Sequence, residues 1–321
     1  MRKKMREAEL VDAAKDLSIP RLSSYRRFFG VRSDAEAIGL YQWNEAVAMN
    51  LFRAVCVTEV SIRNRFHDVL TREFGGASGD WYNQLSMGFK STEAIRKITH
   101  QRRGANFVPK RPLPSHDDVV SKLTFGFWPY LLDVTRTDTH KVVDWADLLP
   151  RILVGHRQRN DIDFWSNSAR KDQIFARLDL CNALRNRIAH HEPLWKAGRL
   201  FEERRERSNS PPRRVIAPAP GTALEAVERL RLIYDRLLEL LGWMSPALME
   251  LHLSTEAHHR LTKLLSLDAI VHYSRGGGSK VLQLNRFGSA RKFRRRLNLL
   301  AKTEFSVFVV RGDAELGQLI F

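Results

Sequence analysis

Cysteine is scarce in this chain. Only Cys56 and Cys181 occur among 321 residues. Two thiols cannot build a disulfide framework or a cysteine zinc site. Both lie within apolar helical patterns and read as small core residues, which fits a reducing cytoplasm. Long hydrophobic runs are missing as well. No window approaches the roughly 18–20 apolar residues of a membrane span, so no membrane partner is expected. The N-terminal Met1-Arg2-Lys3-Lys4-Met5-Arg6 is basic with no apolar run behind it, and does not read as a signal peptide. Three catalytic signatures are absent. There is no His-Glu-x-x-His and no Gly-x-Ser-x-Gly, and the glycine run Arg275-Gly276-Gly277-Gly278-Ser279 lacks the spacing and the Lys-Ser/Thr pair of a phosphate-binding loop. His258-His259 is an isolated pair. No metal and no cofactor are expected.

Acidic residues are also in short supply. Lys plus Arg number 53 against 36 Asp plus Glu, a formal net charge of +17. A surplus of that size favours polyanions, and nucleic acid is the commonest one. A solubility device or an acidic protein partner is the plainer alternative. Hydrophobic residues at 43% and charged residues at 28% are ordinary for a globular protein, and the length suffices for a sizeable core.

Helical periodicity dominates what is present. Val47, Leu51, Val55, Thr58, Ile62, Phe66 and Val69 recur at three or four and predict one long amphipathic helix, stopped near Phe74-Gly75-Gly76. A separate helix is expected before it, from Ser33 to Tyr41. Residues 103–116 read as a basic, proline-broken loop. Helices are expected over 115–123, 171–191 and 223–243, with an apolar segment at 125–132 and a mobile basic loop at 203–222. Ala269-Ile270-Val271-His272-Tyr273 and Val281-Leu282-Gln283-Leu284 read as short strands about the glycine run, Ser289 to Lys302 as a helix, and Phe305 to Val310 as a buried strand. The expected fold is mainly all-α. It divides into a basic segment 1–20, a helical domain 21–266 and a small basic α/β extension 267–321. From Arg286 to Lys302 there are seven basic residues and no acidic one. Arg291, Lys292, Arg294, Arg295 and Arg296 form either a solvated face or a phosphate-tracking patch.

The densest chemistry lies in Leu184-Arg185-Asn186-Arg187-Ile188-Ala189-His190-His191-Glu192-Pro193. Arg holds phosphate through a planar fork of donors, and His moves protons near neutral pH. At 100° per residue, Ile174, Leu178, Cys181, Leu184 and Ile188 share one arc, and Arg185 falls inside it, where it needs a partner. Asn182, Asn186 and His190 form a polar line at that arc's edge. Arg185 and His190 are about 140° apart on an ideal helix, so they border one cleft only if the last turn unwinds or a second copy supplies the other residue. Pro193 disfavours helical geometry at Glu192, which leaves His190 and His191 at a helix C-terminus, where the dipole favours imidazolium. Arg187 is expected to face solvent.

Glu59 is a second misplaced charge, within the apolar stripe of the long helix. It is expected to pair across the core with Arg185, or one turn along with Arg63. Arg63-Asn64-Arg65-Phe66-His67 echoes the Arg185–His190 run with one residue fewer. It reads as a second site, or as supporting polar residues.

The run Arg185-Asn186-Arg187-Ile188-Ala189-His190-His191-Glu192-Pro193 resembles the signature of the bacterial Abi-like (abortive infection) family, within the HEPN superfamily. Ser121-Lys122-Leu123-Thr124-Phe125-Gly126-Phe127-Trp128 resembles that family's apolar-Gly-aromatic block. Leu40-Tyr41-Gln42-Trp43-Asn44 and Glu59-Val60-Ser61-Ile62-Arg63-Asn64 resemble its N-terminal helices. The resemblance covers roughly residues 20–250. It implies a HEPN-like helical bundle, often a homodimer that joins two Arg-His motifs, and metal-independent RNA cleavage. In that reaction the histidine transfers the proton of the ribose 2′-hydroxyl and the arginine stabilises charge on the phosphorane. Carried over, Arg185 and His190 are catalytic and Asn186 orients, with His191 and Glu192 as helpers. Arg187 joins the tail cations in contacting RNA, and Glu59, Arg63 and Asn64 support the site. The function expected is an RNA-cleaving anti-phage toxin. The alternative is a non-catalytic module that holds a structured or regulatory RNA. The sequence names no RNA target, phage trigger or neutralising partner.

Overall fold

The computed structural model describes residues 7–76, 79–104, 106–207, 210–276, 280–302, 305–312 and 314–320. The basic run 1–6 and Gly277–Ser279 of the glycine run lie outside them. The fold is mainly helical. α1 (Glu7–Asp16) and α2 (Ile19–Phe29) precede a 41-residue α3 (Asp34–Phe74), followed by α4 (Phe89–Thr99). A hairpin comes next, β1 (His100–Arg103) with β2 (Asn106–Pro109). Four short helices follow: α5 (His116–Lys122), α6 (Phe127–Leu131), α7 (Trp145–Ile152) and α8 (Ile162–Ser166). Then come α9 (Ser168–Ala189), the pair β3 (Leu200–Phe201) and β4 (Val215–Ala217), α10 (Ala223–Met244), α11 (Pro246–Leu253), α12 (Glu256–Leu264) and α13 (Leu267–Ser274). The chain closes with β5 (Lys280–Gln283), α14 (Ala290–Leu300), β6 (Ser306–Arg311) and β7 (Ala314–Ile320). No helix among the described residues is long and apolar enough to cross a membrane.

α3 is the spine. A reciprocal capping box starts it: Ser33 Oγ accepts from the Glu36 amide, and the Glu36 carboxylate accepts from the Ser33 amide at 2.9 Å. Its buried stripe is unbroken from Leu40 through Trp43, Val47, Leu51, Val55, Ile62 and Phe66 to Leu70. The two helices expected at 33–41 and 47–69 are therefore one, about 60 Å long. Trp43 and Asn44 carry the stripe across the expected gap, and no proline or glycine interrupts it there. Helices α2, α7, α9, α10, α12 and α13 all pack on α3.

Three local expectations are corrected. Residues 269–273 are not a strand but the middle of α13. Ser266 caps that helix by accepting from the Ala269 amide, and Ala269, Ile270 and Tyr273 share its inward face at helical spacing. The helix rests on α3 at Gly39, where a Cβ would lie 1.9 Å from the Tyr273 carbonyl oxygen. Only glycine permits that approach. In the segment expected to be a loop from 103, β1 and β2 pair as antiparallel strands, His100–Arg103 with Asn106–Pro109. The 203–222 segment is not a free basic loop. β4 pairs with β3, and Arg204, Arg205, Arg207 and Arg213 each face a carboxylate. The basic segment 1–20 contains α1, whose Ala14 is buried beside Leu22, Ala37 and Ile38.

The last strands form one three-stranded sheet in the order β5-β6-β7, parallel then antiparallel. α14 joins β5 to β6. Its Phe293, Leu297 and Leu300 face Leu282 and Val307 in a small core distinct from the main one.

Candidate active site

α9 carries the site. Asn167 caps its start by accepting from the Ala169 amide at 2.9 Å. Ile174, Phe175, Leu178, Cys181 and Leu184 bury its inner face. The helix ends at the histidines by a Schellman motif: the Glu192 amide donates to Arg187 O at 2.9 Å and the His191 amide to Ile188 O at 3.0 Å. His191 occupies the left-handed position with φ +53°, where glycine is usual. The strain there is about 1 kcal/mol, and the surroundings hold it in place. Arg21 of α2 donates to His191 O at 2.8 Å. Leu194 and Trp195 are buried directly after Pro193. The Leu194 amide donates to the buried Asn44 side chain of α3 at 2.8 Å, and the Trp195 ring stacks on Phe28 at 4.4 Å.

This clamp leaves His190, His191 and Glu192 exposed at the end of α9. Arg185 is half-buried at the stripe's margin rather than inside the core, and its one hydrogen bond among the described residues is to the exposed Asn186 at 3.3 Å. Helical geometry persists through Ala189, so unwinding before His190 does not bring Arg185 and His190 together within one chain.

Arg187 differs from expectation. It is half-buried, and it donates to the carbonyls of Pro193 and Lys196 and pairs with Glu192 at 3.3 Å. It staples the turn rather than facing solvent. Glu59 pairs with Arg63 at 2.7 Å, so the expected pairing across to Arg185 is corrected to the one along the helix. Arg185 and Glu59 both lie close enough to act on the Cys56 thiol. Cys56 is exposed rather than a core residue; the partial burial it has raises its pKa first, Glu59 raises it further and Arg185 lowers it.

The Arg63–His67 run is occupied by internal bonds. Arg63 donates to Ser121 O at 2.7 Å and to Leu123 O, and Arg65 to Met244 O at 2.8 Å. His67 Nδ1 accepts from the Trp81 indole at 2.9 Å, which directs its other nitrogen toward Asp117 at 3.3 Å. Asn64 alone is exposed. The three sequence blocks that carry the family resemblance are thus joined in space. Asn44 holds the turn after α9, Arg63 ties α3 to residues 121–123, and Gly126 lies against Asn182.

Arg291, Lys292, Arg294, Arg295 and Arg296 are all exposed on α14, opposite its Phe293–Leu297–Leu300 face. An open groove of about 450 Å³ runs along Lys292, Arg295, Arg296 and Lys302. Among the described residues, no three His, Cys, Asp or Glu side chains are grouped to hold a metal ion. The contributions of Arg21, Leu194 and Trp195 were not read from the sequence. The only signal was a Leu-Trp pair directly after the helix-stopping proline.

No curated protein and no solved structure matches the chain. The profile of the Abi-like protein family matches residues 15–196, which is more than half of the chain. That span begins within α1, contains Asn44, Arg63, Gly126 and the whole of α9, and ends just past the Leu194-Trp195 anchor; the chain belongs to the Abi-like protein family.

Proposed function

We propose that this chain is an abortive-infection protein of the HEPN type that cleaves RNA without a metal, through Arg185 and His190. One observation carries the reading. The end of α9 holds its histidines exposed on a turn that Arg21, Asn44 and Arg187 fix through backbone bonds. His190 takes the proton from a ribose 2′-hydroxyl. The 2′-oxygen then bonds to phosphorus, the P–O5′ bond breaks, the 5′-oxygen leaves with a proton taken from water, and His190 returns its own proton to solvent. Arg185, whose one hydrogen bond among the described residues is to Asn186, stabilises the charge on the phosphorane. Asn186 orients Arg185. Glu192 acts through Arg187, and His191 through its backbone. The net charge of +17 draws the substrate in from the cytoplasm.

Because Arg185 and His190 diverge on one helix, the complete site takes one residue from each of two copies. The exposed Met49, Phe52 and Val60 of α3, flanking Cys56 next to Arg185, supply an apolar ridge for a homodimer. Purified protein incubated with RNA in EDTA tests the reaction. Products with 2′,3′-cyclic phosphate ends are expected, and intact RNA at all protein concentrations would sink the nuclease reading.

A second reading, a non-catalytic RNA-binding module, is favoured by the exposed cations of α14. Arg294→Glu with Arg295→Glu is expected to weaken RNA binding and reduce its salt dependence without unfolding the helical body. An unchanged affinity removes α14 from the interface.

A further inference from the structure

A second cavity, of about 250 Å³, opens on the same face of α9 nearer its start. It is bounded by Tyr130 of α6, Phe175 and Asp179 of α9, and Arg205, Glu206 and Arg213 of the following segment. We propose that this cavity is a nucleobase subsite, selective for guanine, for the RNA strand whose scissile phosphate lies at His190. The idea deepens the RNA reading above and rests on it for the path of the strand.

Three features identify the ligand as a base rather than a phosphate. The first is charge. Arg204, Arg205 and Arg213 around the cavity pair with Glu202, Asp133 and Glu206, and Asp179 adds a further acid, so the wall is close to neutral and is no anion sink. The second is planarity. The Tyr130 and Phe175 rings meet edge to face at 5.7 Å, and the Arg205 guanidinium lies 4.1 Å over Phe175. Aromatic and guanidinium planes are the surfaces on which unpaired bases stack. The volume falls below the ~300 Å³ lower limit of ordinary small-molecule sites, which suits a single base. The third is the set of acceptors. Asp179 and Glu206 offer carboxylate oxygens, and guanine presents two adjacent N–H donors to a carboxylate, where uracil presents one.

Position links the cavity to the motif. Ala176, Asp179, Asn182, Asn186 and His190 follow one another at three or four along α9 and share a face. Burial raises the Asp179 pKa, and Arg213 and then Asn182, the next residue of the row, oppose that rise; a polar line runs from the cavity to His190. Asp179 and His190 are eleven residues apart, about 16 Å along the helix axis. That is about five nucleotides at the ~3.4 Å rise of a stacked strand, and fewer for an unstacked one.

The test uses the full chain carrying His190→Ala, so that no RNA is consumed, titrated separately with GMP, AMP, CMP and UMP. GMP is expected to bind tightest, with at least about tenfold preference over UMP. Tyr130 is half-exposed, so Tyr130→Ala should leave the melting temperature unchanged and weaken GMP about tenfold or more, the loss of one base stack. Asp179→Asn should erase the preference for GMP while weak stacking persists. Equal binding of all four nucleotides, or none, or GMP binding indifferent to Tyr130→Ala overturns the subsite. Cleavage of RNA by the unaltered protein with no Tyr130-dependent base preference removes the subsite and leaves the nuclease. Tyr130-dependent GMP binding with no RNA cleavage removes the nuclease and leaves the subsite.

Discussion

Two runs of this chain share nearly the same letters. Arg63-Asn64-Arg65-Phe66-His67 lies in the middle of α3, and Arg185-Asn186-Arg187-Ile188-Ala189-His190 at the end of α9. In the first, both arginines bond to carbonyls of distant segments and the histidine accepts from Trp81. In the second, Arg187 is bonded in the same way, but Arg185 and His190 remain open. An Arg-His pattern thus becomes a candidate site only where the fold leaves its donors unengaged. The proline three residues past His190 produces that difference, because it ends the helix and turns the histidines outward.

The largest effect that sharpens this contrast is on activity. His190→Ala should lower RNA cleavage about 10²- to 10⁴-fold, the usual worth of an acid/base group, with an unchanged melting temperature. If it melts instead, His190 belongs with the structural histidines. Arg63→Ala should do the reverse. It frees two carbonyls and leaves Glu59 half-buried without its cation. A loss of about 2–3 kcal/mol in denaturant unfolding is expected. His67→Ala strands the Trp81 indole N–H in the core, for about 1–3 kcal/mol. Variants at 63 or 67 that cleave less RNA while unfolding normally would erase the distinction between the two runs.

Acid extends the comparison to the other buried histidines. Burial first, and then neighbouring charges, hold His156, His252 and His258 below their ordinary pKa of 6.5. Tyr234 bridges two of them, at 2.9 Å from His252 and 2.8 Å from His258. The unfolded chain takes up their protons at higher pH than the folded one. Their contribution is therefore complete above pH 6.5 and is lost as the pH falls below it toward the lowered folded values. Melting temperature should drop between pH 7.5 and 5, and His252→Gln should flatten the drop; an unaltered slope argues against this trio as the cause.

The smallest expected effect concerns the turn itself. His191→Gly relieves the left-handed strain and should raise stability by about 1 kcal/mol. Cleavage should stay near its original level if His191 acts through its backbone carbonyl, which glycine retains for Arg21. A large loss of cleavage would make the His191 ring a participant.

Much of the fold was legible in the sequence because periodicity reports burial directly. The stripe of α3, the extent of α9 and helix α10 follow from residues three and four apart. The errors fell where local pattern is ambiguous. Five apolar-rich residues at 269–273 fit strand or helix equally, and the Ser266 cap with the close approach of Gly39 to Tyr273 favours α13. Of the candidate site, the end of α9 near Pro193 could be read, and Glu59–Arg63 was one of two pairings the spacing allowed. The bonds of Arg187 and Arg63 to backbone carbonyls could not be read. A guanidinium on a long flexible stem bonds whatever carbonyl lies within reach, and those carbonyls belong to residues 121, 123, 193 and 196.

The sequence by itself determined the helical stripes, the terminus of α9, the shortage of thiols and the surplus of positive charge, because each depends on spacing or composition alone. The tertiary structure decided which arginines are bonded internally and which stay open. It also set the left-handed His191 in its clamp of Arg21, Asn44 and Trp195, and opened the cavity beside Asp179. Each of these depends on groups far apart in the chain meeting within a few ångströms, and packing, not local order, sets such distances.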